Sequence, residues 1–271
     1  MLGTVAASAP AGEAQRPAVT YEVDAVRYAT VASFPVRALV AGADSARRMD
    51  IAMMVWLLRS PERTVLVDAG FYRAKFVERW KPVGYERPSE AVARLGVRPE
   101  DVTDVIVTHV HWDHLDGIDL FPNARVWIQE EEYRHYVTDE GRVAAAGIDS
   151  ADAAMLAMLQ RAGRVRLVPG DAREVLPGIT VYTGGRHTWA SQYVGVRTAA
   201  GTAVIASDNL YLYENLERRA PIAQTLDPQS NLAAQERMTK LASDRRLIVP
   251  GHDPAVFARF PAPGNGVARI Q

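Results

Sequence analysis

Residues 108–117 read Thr-His-Val-His-Trp-Asp-His-Leu-Asp-Gly, and this stretch holds three of the chain's six histidines, His109, His111 and His114. Imidazoles grouped this densely around a carboxylate, Asp113, form a donor set for Zn²⁺, Mn²⁺ or Fe²⁺. The chain has no cysteine, so thiolate sites, disulfides and cysteine nucleophiles are excluded together. The run before the histidines, Asp104-Val105-Ile106-Val107, is apolar and β-branched and reads as a buried strand. If its extended conformation continues, side chains at i and i+2 point to one side and His109 and His111 face one ion. Asp113 and His114 follow where the chain turns, and could reach round to a second. Three surface or core histidines grouped by chance are the ordinary alternative, but this spacing is far more specific than a two-residue motif.

Three further stretches end an apolar strand in a metal-capable residue: Tyr182-Thr183-Gly184-Gly185-Arg186-His187, Val204-Ile205-Ala206-Ser207-Asp208-Asn209 and Ile248-Val249-Pro250-Gly251-His252. Their glycines permit sharp turns that direct the next side chain into a shared cleft. Taken singly, each has a plain reading as a surface loop, a turn or a helix cap. Together they put five of the six histidines into one pattern. His135 is left over, in a polar helix over residues 130–136, and reads as solvated.

The set His109-x-His111-x-Asp113-His114, His187, Asp208 and His252 resembles the ligand pattern of the metallo-β-lactamase superfamily of dinuclear metallohydrolases, over roughly residues 51–253. The resemblance implies an α/β fold of the four-layer αβ/βα sandwich type. It implies that His109, His111 and His187 hold one divalent ion, that Asp113, His114 and His252 hold a second, and that Asp208 bridges them. Zinc is the first expectation, manganese or iron the alternatives. Leu66-Val67-Asp68-Ala69-Gly70 is similar to the family's first short motif, whose Asp, here Asp68, supports the ligands from behind. A hydroxide shared by two such ions attacks a carbonyl carbon or a phosphorus. Asp113 is then the natural carrier of a proton to the leaving group.

Within the superfamily, Asp208-Asn209-Leu210-Tyr211, followed by Leu212-Tyr213-Glu214-Asn215, resembles the N-acyl homoserine lactonases and related small lactonases. That likeness implies a Tyr211 hydroxyl directed at the substrate carbonyl; a packing aromatic is the plain alternative. Trp112 and Trp189 are expected to line a pocket for an apolar or aromatic group of a small-molecule substrate. One departure stands out: after His187 the chain reads Thr188-Trp189-Ala190-Ser191-Gln192, where the lactonase pattern has Pro-Gly-His-Gln. Ser191 thus replaces a histidine that is not a ligand. The expected reaction is opening of an N-acyl homoserine lactone or a related lactone or ester. A glyoxalase II-like thioesterase, or another small ester or amide hydrolase, is the alternative, and a non-catalytic binding module the third reading.

The elements that must position these residues follow from patterning. Strands are expected over residues 21–31, 51–58, 64–67, 104–108 and 125–128, then 165–168, 179–182, 193–196, 202–206 and 247–249. Helices are expected over 73–80, 89–95 (capped by Ser89, closed by Gly96), 130–136, 152–162 and 231–242. Met155 and Met158 read as core filler. Strand-rich halves interrupted by helices predict two mixed sheets with helices outside. Residues 1–19 read as a mobile tail and 20–271 as one hydrolase domain. A net charge of −1 argues against nucleic acid or an anionic membrane as partner. No apolar run is long enough to span a bilayer. Cytoplasm is the default location, and a homodimer is left open.

Overall fold

The computed structural model describes residues 18–271. The first six strands, β1 (Glu22–Pro35), β2 (Arg48–Arg59), β3 (Thr64–Val67), β4 (Asp104–Ile106), β5 (Arg125–Gln129) and β6 (Val165–Val168), lie side by side in chain order. A second sheet holds β7 (Arg173–Leu176), β8 (Ile179–Thr183), β9 (Gln192–Thr198), β10 (Gly201–Ser207) and β11 (Ile248–Pro250). The last strand, β12 (Val267–Ile270), returns to pair with β1. Strands β3 to β6 run parallel, and β10 and β11 are also parallel. Parallel neighbours need crossovers, and helices supply them: α1 (Ala74–Trp80), α2 (Pro88–Ala93), α3 (Trp112–Leu115), α4 (Glu130–Tyr136) and α5 (Ser150–Arg161) on the first sheet, then α6 (Tyr213–Arg218) and α7 (Pro228–Leu241) on the second. A short α8 (Val256–Arg259) precedes β12.

Residues 51–58 of β2 are all buried, and the reason is their position between two layers. Ile51, Met53, Val55 and Leu57 join the core under helices α1 to α5, while Ala52, Met54, Trp56 and Leu58 face the second sheet. A strand with both faces covered has no use for alternating polar residues. The outer face of the second sheet is closed by Leu216 of α6 and by Ala234 and Met238 of α7. Helix, sheet, sheet and helix therefore stack in the expected four-layer αβ/βα order.

Several boundaries differ from the sequence-based expectation. The first strand runs on to Pro35 through irregularities near Arg27 and Ser33. Strands β7 and β12 and the short helices α3, α6 and α8 lie outside the elements expected from patterning. Ser89 is buried inside α2 rather than capping it. Pro88 takes the first helical position, which suits its fixed φ, and the Glu90 side chain accepts from Arg87 N at 3.1 Å. Met155 is buried as core, but Met158 is 53% exposed, on the outward side of α5. The expected tail, residues 1–19, lies outside the described residues except for Ala18 and Val19, and Val19 packs on the inter-sheet core.

The loops that carry the candidate site are fixed by close approach. Gly117 N donates to Gly70 O at 2.9 Å, and a Cβ on Gly117 would stand 2.2 Å from the Ala69 carbonyl oxygen. Gly117→Ala is therefore expected to destabilise by about 1–3 kcal/mol through overpacking. A urea midpoint equal to that of the unaltered protein would show that these two loops separate freely.

Candidate metal centre

The sequence-predicted donors sit at strand ends on one edge of the sandwich. Asp68 follows β3, the His109–His114 segment follows β4, His187 follows β8, Asp208 follows β10 and His252 follows β11. The strand expected over residues 104–108 stops at Ile106. Beyond it the backbone is held by carboxylates: Thr108 N donates to Asp68 Oδ1 at 2.8 Å and Val110 N to Glu132 Oε1 at 3.1 Å. His109 and His111 still face one point, through different nitrogens, with His109 Nε2 3.1 Å from His111 Nδ1.

The structure brings seven predicted donors into two adjoining groups: His109, His111, His187 and Asp208 in one, and Asp113, His114 and His252 in the other. In the first, His187 Nε2 lies 2.8 Å from His111 Nδ1, and Asp208 Oδ2 lies 3.7 and 3.3 Å from the Nε2 atoms of His109 and His187. In the second, Asp113 Oδ2 lies 3.6 and 3.7 Å from the Nε2 atoms of His114 and His252. Asp208 turns its other oxygen to that group, with Oδ1 3.3 and 3.0 Å from His114 and His252 Nε2. One carboxylate thus serves both groups. Gly251 is required here, because a Cβ on it would stand 2.8 Å from Asp208 Oδ1.

The outward nitrogens of four of the five histidines are engaged, which fixes how those rings present their inner ones. His109 Nδ1 meets Thr108 Oγ1 at 3.0 Å, His114 Nδ1 meets Asp68 Oδ2 at 2.8 Å, His187 Nδ1 meets Gln224 O at 2.7 Å and His252 Nδ1 meets Ala52 O at 3.0 Å. Asp68 and Ser207 adopt left-handed backbone, φ 60° and 47°. Their side chains explain it: Asp68 Oδ2 also accepts from Thr108 Oγ1 at 2.9 Å and from Ser207 Oγ at 3.0 Å. Ser191, the departure noted above, accepts from His187 N at 3.1 Å and donates to Asn209 Oδ1 at 2.9 Å.

Two observations test whether cations fit. His114 Nε2 and Asp208 Oδ1 are buried and form no hydrogen bond with any described residue. Buried polar atoms without partners mark places for an ion or an ordered molecule. The electrostatics agree. Burial, reinforced by the neighbouring imidazoles, pushes His109 well below its ordinary range and His111 down to about 3, so their lone pairs are free. Burial opposes charge on His114 and His252 too, but Asp208 and Asp113 overcome it and raise both. Asp208 in turn is held well below the usual carboxylate range, against burial, by His114 and His252. Free lone pairs on His109 and His111, converging with a carboxylate held low on shared points, suit divalent cations.

A cavity of about 200 Å³ opens on the donors. His111, Asp113, Asp208, His252 and Tyr211 line its polar part, and Phe34, Leu39, Ile51, Met53, Trp80 and Trp112 its apolar part. Trp112 lies between Trp80 (centroids 5.3 Å apart, 11°) and Phe76 (4.8 Å, 24°). Tyr211 is buried, with its hydroxyl 3.3 Å from His187 Nδ1.

Trp189 corrects the sequence expectation, since it does not line this cavity. Thr188 Oγ1 and Ala190 N both bond Glu132, which turns Trp189 outward, 42% exposed and stacked on His135 at 4.2 Å. His135 is accordingly half-buried rather than freely solvated. Sequence reasoning also missed Glu132, Ser207, Thr108, Gln224, Phe34 and Trp80. Only Glu132 carried a usable signal, because a 3.6-residue period groups it with Gln129, Tyr133 and Tyr136 on one helix face.

Residues 54–252 match the family model of the metallo-beta-lactamase superfamily. The N-acyl homoserine lactonase AiiA of Bacillus thuringiensis subsp. kurstaki is 26% identical over 221 residues, covering 76% of this chain and 82% of its own. Metallo-beta-lactamase domain-containing protein 1 of Mus musculus is 30% identical over 165 residues, covering 60% and 53%. Among solved structures, a quorum-quenching N-acyl homoserine lactone lactonase superposes with TM-score 0.71 at 22% identity, covering 88% of this chain and 94% of that one. The dizinc quorum-quenching lactonase AidC gives 0.63 at 12% identity, covering 93% and 97%. With the family model spanning most of the sandwich and both donor groups inside it, the chain belongs to the metallo-beta-lactamase superfamily and is a metal-dependent hydrolase.

Proposed function

We propose that the protein opens a lactone ring, taking an N-acyl homoserine lactone or a related small lactone or ester with an apolar acyl group, at two divalent ions, zinc in the first instance. The observation that carries this reading is the single cavity in which the donors, Tyr211 and an aromatic wall meet. His109, His111 and His187 would hold one ion, Asp113, His114 and His252 the other, with Asp208 shared. Ions so held would lower the pKa of a shared solvent molecule to about 7 and polarise a carbonyl.

The chain's own residues supply the rest. Burial, with Asp208 and Asp113 adding to it, raises the Tyr211 phenol well above its ordinary range, so it stays a donor at neutral pH. It donates to the carbonyl oxygen as negative charge gathers there. Burial opposes the charge on Asp113, but His114 outweighs it and keeps the carboxyl ionised. As the oxygen of a water molecule bonds to the acyl carbon, Asp113 can take the proton that water gives up and pass it to the ring oxygen while the acyl C–O bond breaks, so that lactone and water together give the hydroxy acid. The apolar wall of Phe34, Trp80 and Trp112 takes the acyl group and keeps bulk water from it.

The test is a panel of acyl homoserine lactones, aryl esters, thioesters and phosphodiesters. Lactones are expected to give the highest kcat/KM; a clear preference for thioesters would instead support the glyoxalase II-like reading. Chelation should abolish turnover and added zinc restore it, and turnover by fully demetallated protein would reject a metal-dependent reaction. Tyr211→Phe should lower kcat/KM on the best lactone by about 10²-fold, in line with loss of one oxyanion donor; an unaltered value would reduce Tyr211 to packing. Asp208 and Asp113 raise His114 and His252 against burial, so zinc competes with protons for those two imidazoles. Affinity should therefore fall as pH is lowered, and zinc uptake should release protons. Calorimetry in buffers of different ionisation enthalpy reads this, and zinc uptake without proton release would contradict it.

A further inference from the structure

We propose that Glu132 is the positioning residue of the first donor group, one carboxylate that holds the backbone of both loops from which His109, His111 and His187 project. Its side chain is fully buried in α4 and touches neither donor group nor cavity. Its Oε1 accepts from Val110 N at 3.1 Å and from Thr188 Oγ1 at 2.6 Å, and its Oε2 accepts from Ala190 N at 2.7 Å. Val110 is the residue between His109 and His111, and Thr188 is the residue after His187. The three imidazoles of one group thus hang from two loops tied to a single anion. No residue that Glu132 bonds adjoins Asp113, His114 or His252 in the chain.

The chemistry requires a carboxylate. Three donors converge on two oxygens, two of them buried backbone N–H groups that have no choice of direction. An amide would place an NH₂ against one of those donors, and an aspartate would fall a methylene short of both loops. Neighbouring Glu131, exposed on the same helix, shares the charge without the contacts. Only the position buried against the two loops does the tying.

This inference rests on the proposed pairing of donors with ions, so the experiment is arranged to separate the two. Zinc stoichiometry and affinity are measured by equilibrium dialysis for the full chain, for Glu132→Gln and for Glu131→Gln as control. The same measurements are made in a His252→Ala background, which leaves the first group intact, and in a His111→Ala background, which leaves the second. In the His252→Ala background, Glu132→Gln should weaken the remaining ion by about 10- to 100-fold, the usual effect of losing a group that orients ligands. In the His111→Ala background it should change the remaining ion's affinity by less than about twofold. Glu131→Gln should match the unaltered protein throughout. Equal losses in both backgrounds would mean a general structural role and overturn the proposal, as would unchanged affinity in both. If Glu132→Gln does not fold, Thr188→Val, which removes one of the three contacts, is expected to show the same one-sided loss at smaller size, with Thr188→Ser restoring it. Failure of the unaltered chain to bind two ions would instead sink the dinuclear reading itself.

Discussion

Asp68 is fully buried, and a carboxylate in that position must find donors close at hand or lose its charge. It takes them from both halves of the sandwich: Thr108 and His114 beyond β4 of the first sheet, and Ser207 at the end of β10 of the second. Satisfying this one group brings the two sheet edges to a fixed separation and turns His114 inward. Asp68 and Ser207, which bond each other, both adopt left-handed backbone at this junction. Breaking such a network leaves uncompensated buried charge, which is far more costly than never having formed it. The arrangement behaves as a single unit.

Glu132 and Asp208 extend the same logic inward. Each is a buried carboxylate shared between chain segments distant in sequence: Glu132 accepts from Val110, Thr188 and Ala190, and Asp208 lies among imidazoles of both donor groups. Rigidity on the polar side of the cavity therefore comes from electrostatics. Shape on the apolar side comes from stacking instead, with Phe76, Trp112, Trp80 and Phe34 in a run between α1 and β1. Replacing one member of an aromatic stack alters volume without stranding a charge. Substitutions are accordingly far easier to accommodate on that wall than around the donors.

The difference in physics also explains what the sequence disclosed. Ligand types are few and their spacing is dictated by strand ends, so His109, His111, Asp113, His114, His187, Asp208 and His252 stand out in the chain. Strands buried on both faces are continuous apolar runs, and β2 was visible for that reason. Phe34 and Trp80 reach the cavity because β1 runs longer than its alternation implies and α1 folds back across it, which no local pattern records. Gln224 works through its backbone carbonyl, so its side-chain type carries no information about His187. Trp189 lies near His187 in the chain, yet the Glu132 contacts on either side of it turn the ring outward, and no local pattern records that.

The lining of the cavity also bears on which electrophile it suits. Among the described residues no lysine or arginine faces it. A phosphodiester would bring an anionic centre with several charged oxygens, and those turned away from the donor groups would meet Leu39, Ile51 and Met53 with no cationic partner. A lactone arrives uncharged and develops negative charge on one oxygen only, in the region where the donors and the Tyr211 hydroxyl converge. The acyl chain of such a substrate is hydrocarbon, which suits the apolar wall. A lining without a cationic side chain, polar at the donors and apolar opposite them, is therefore what favours the proposed neutral acyl substrate over a phosphodiester.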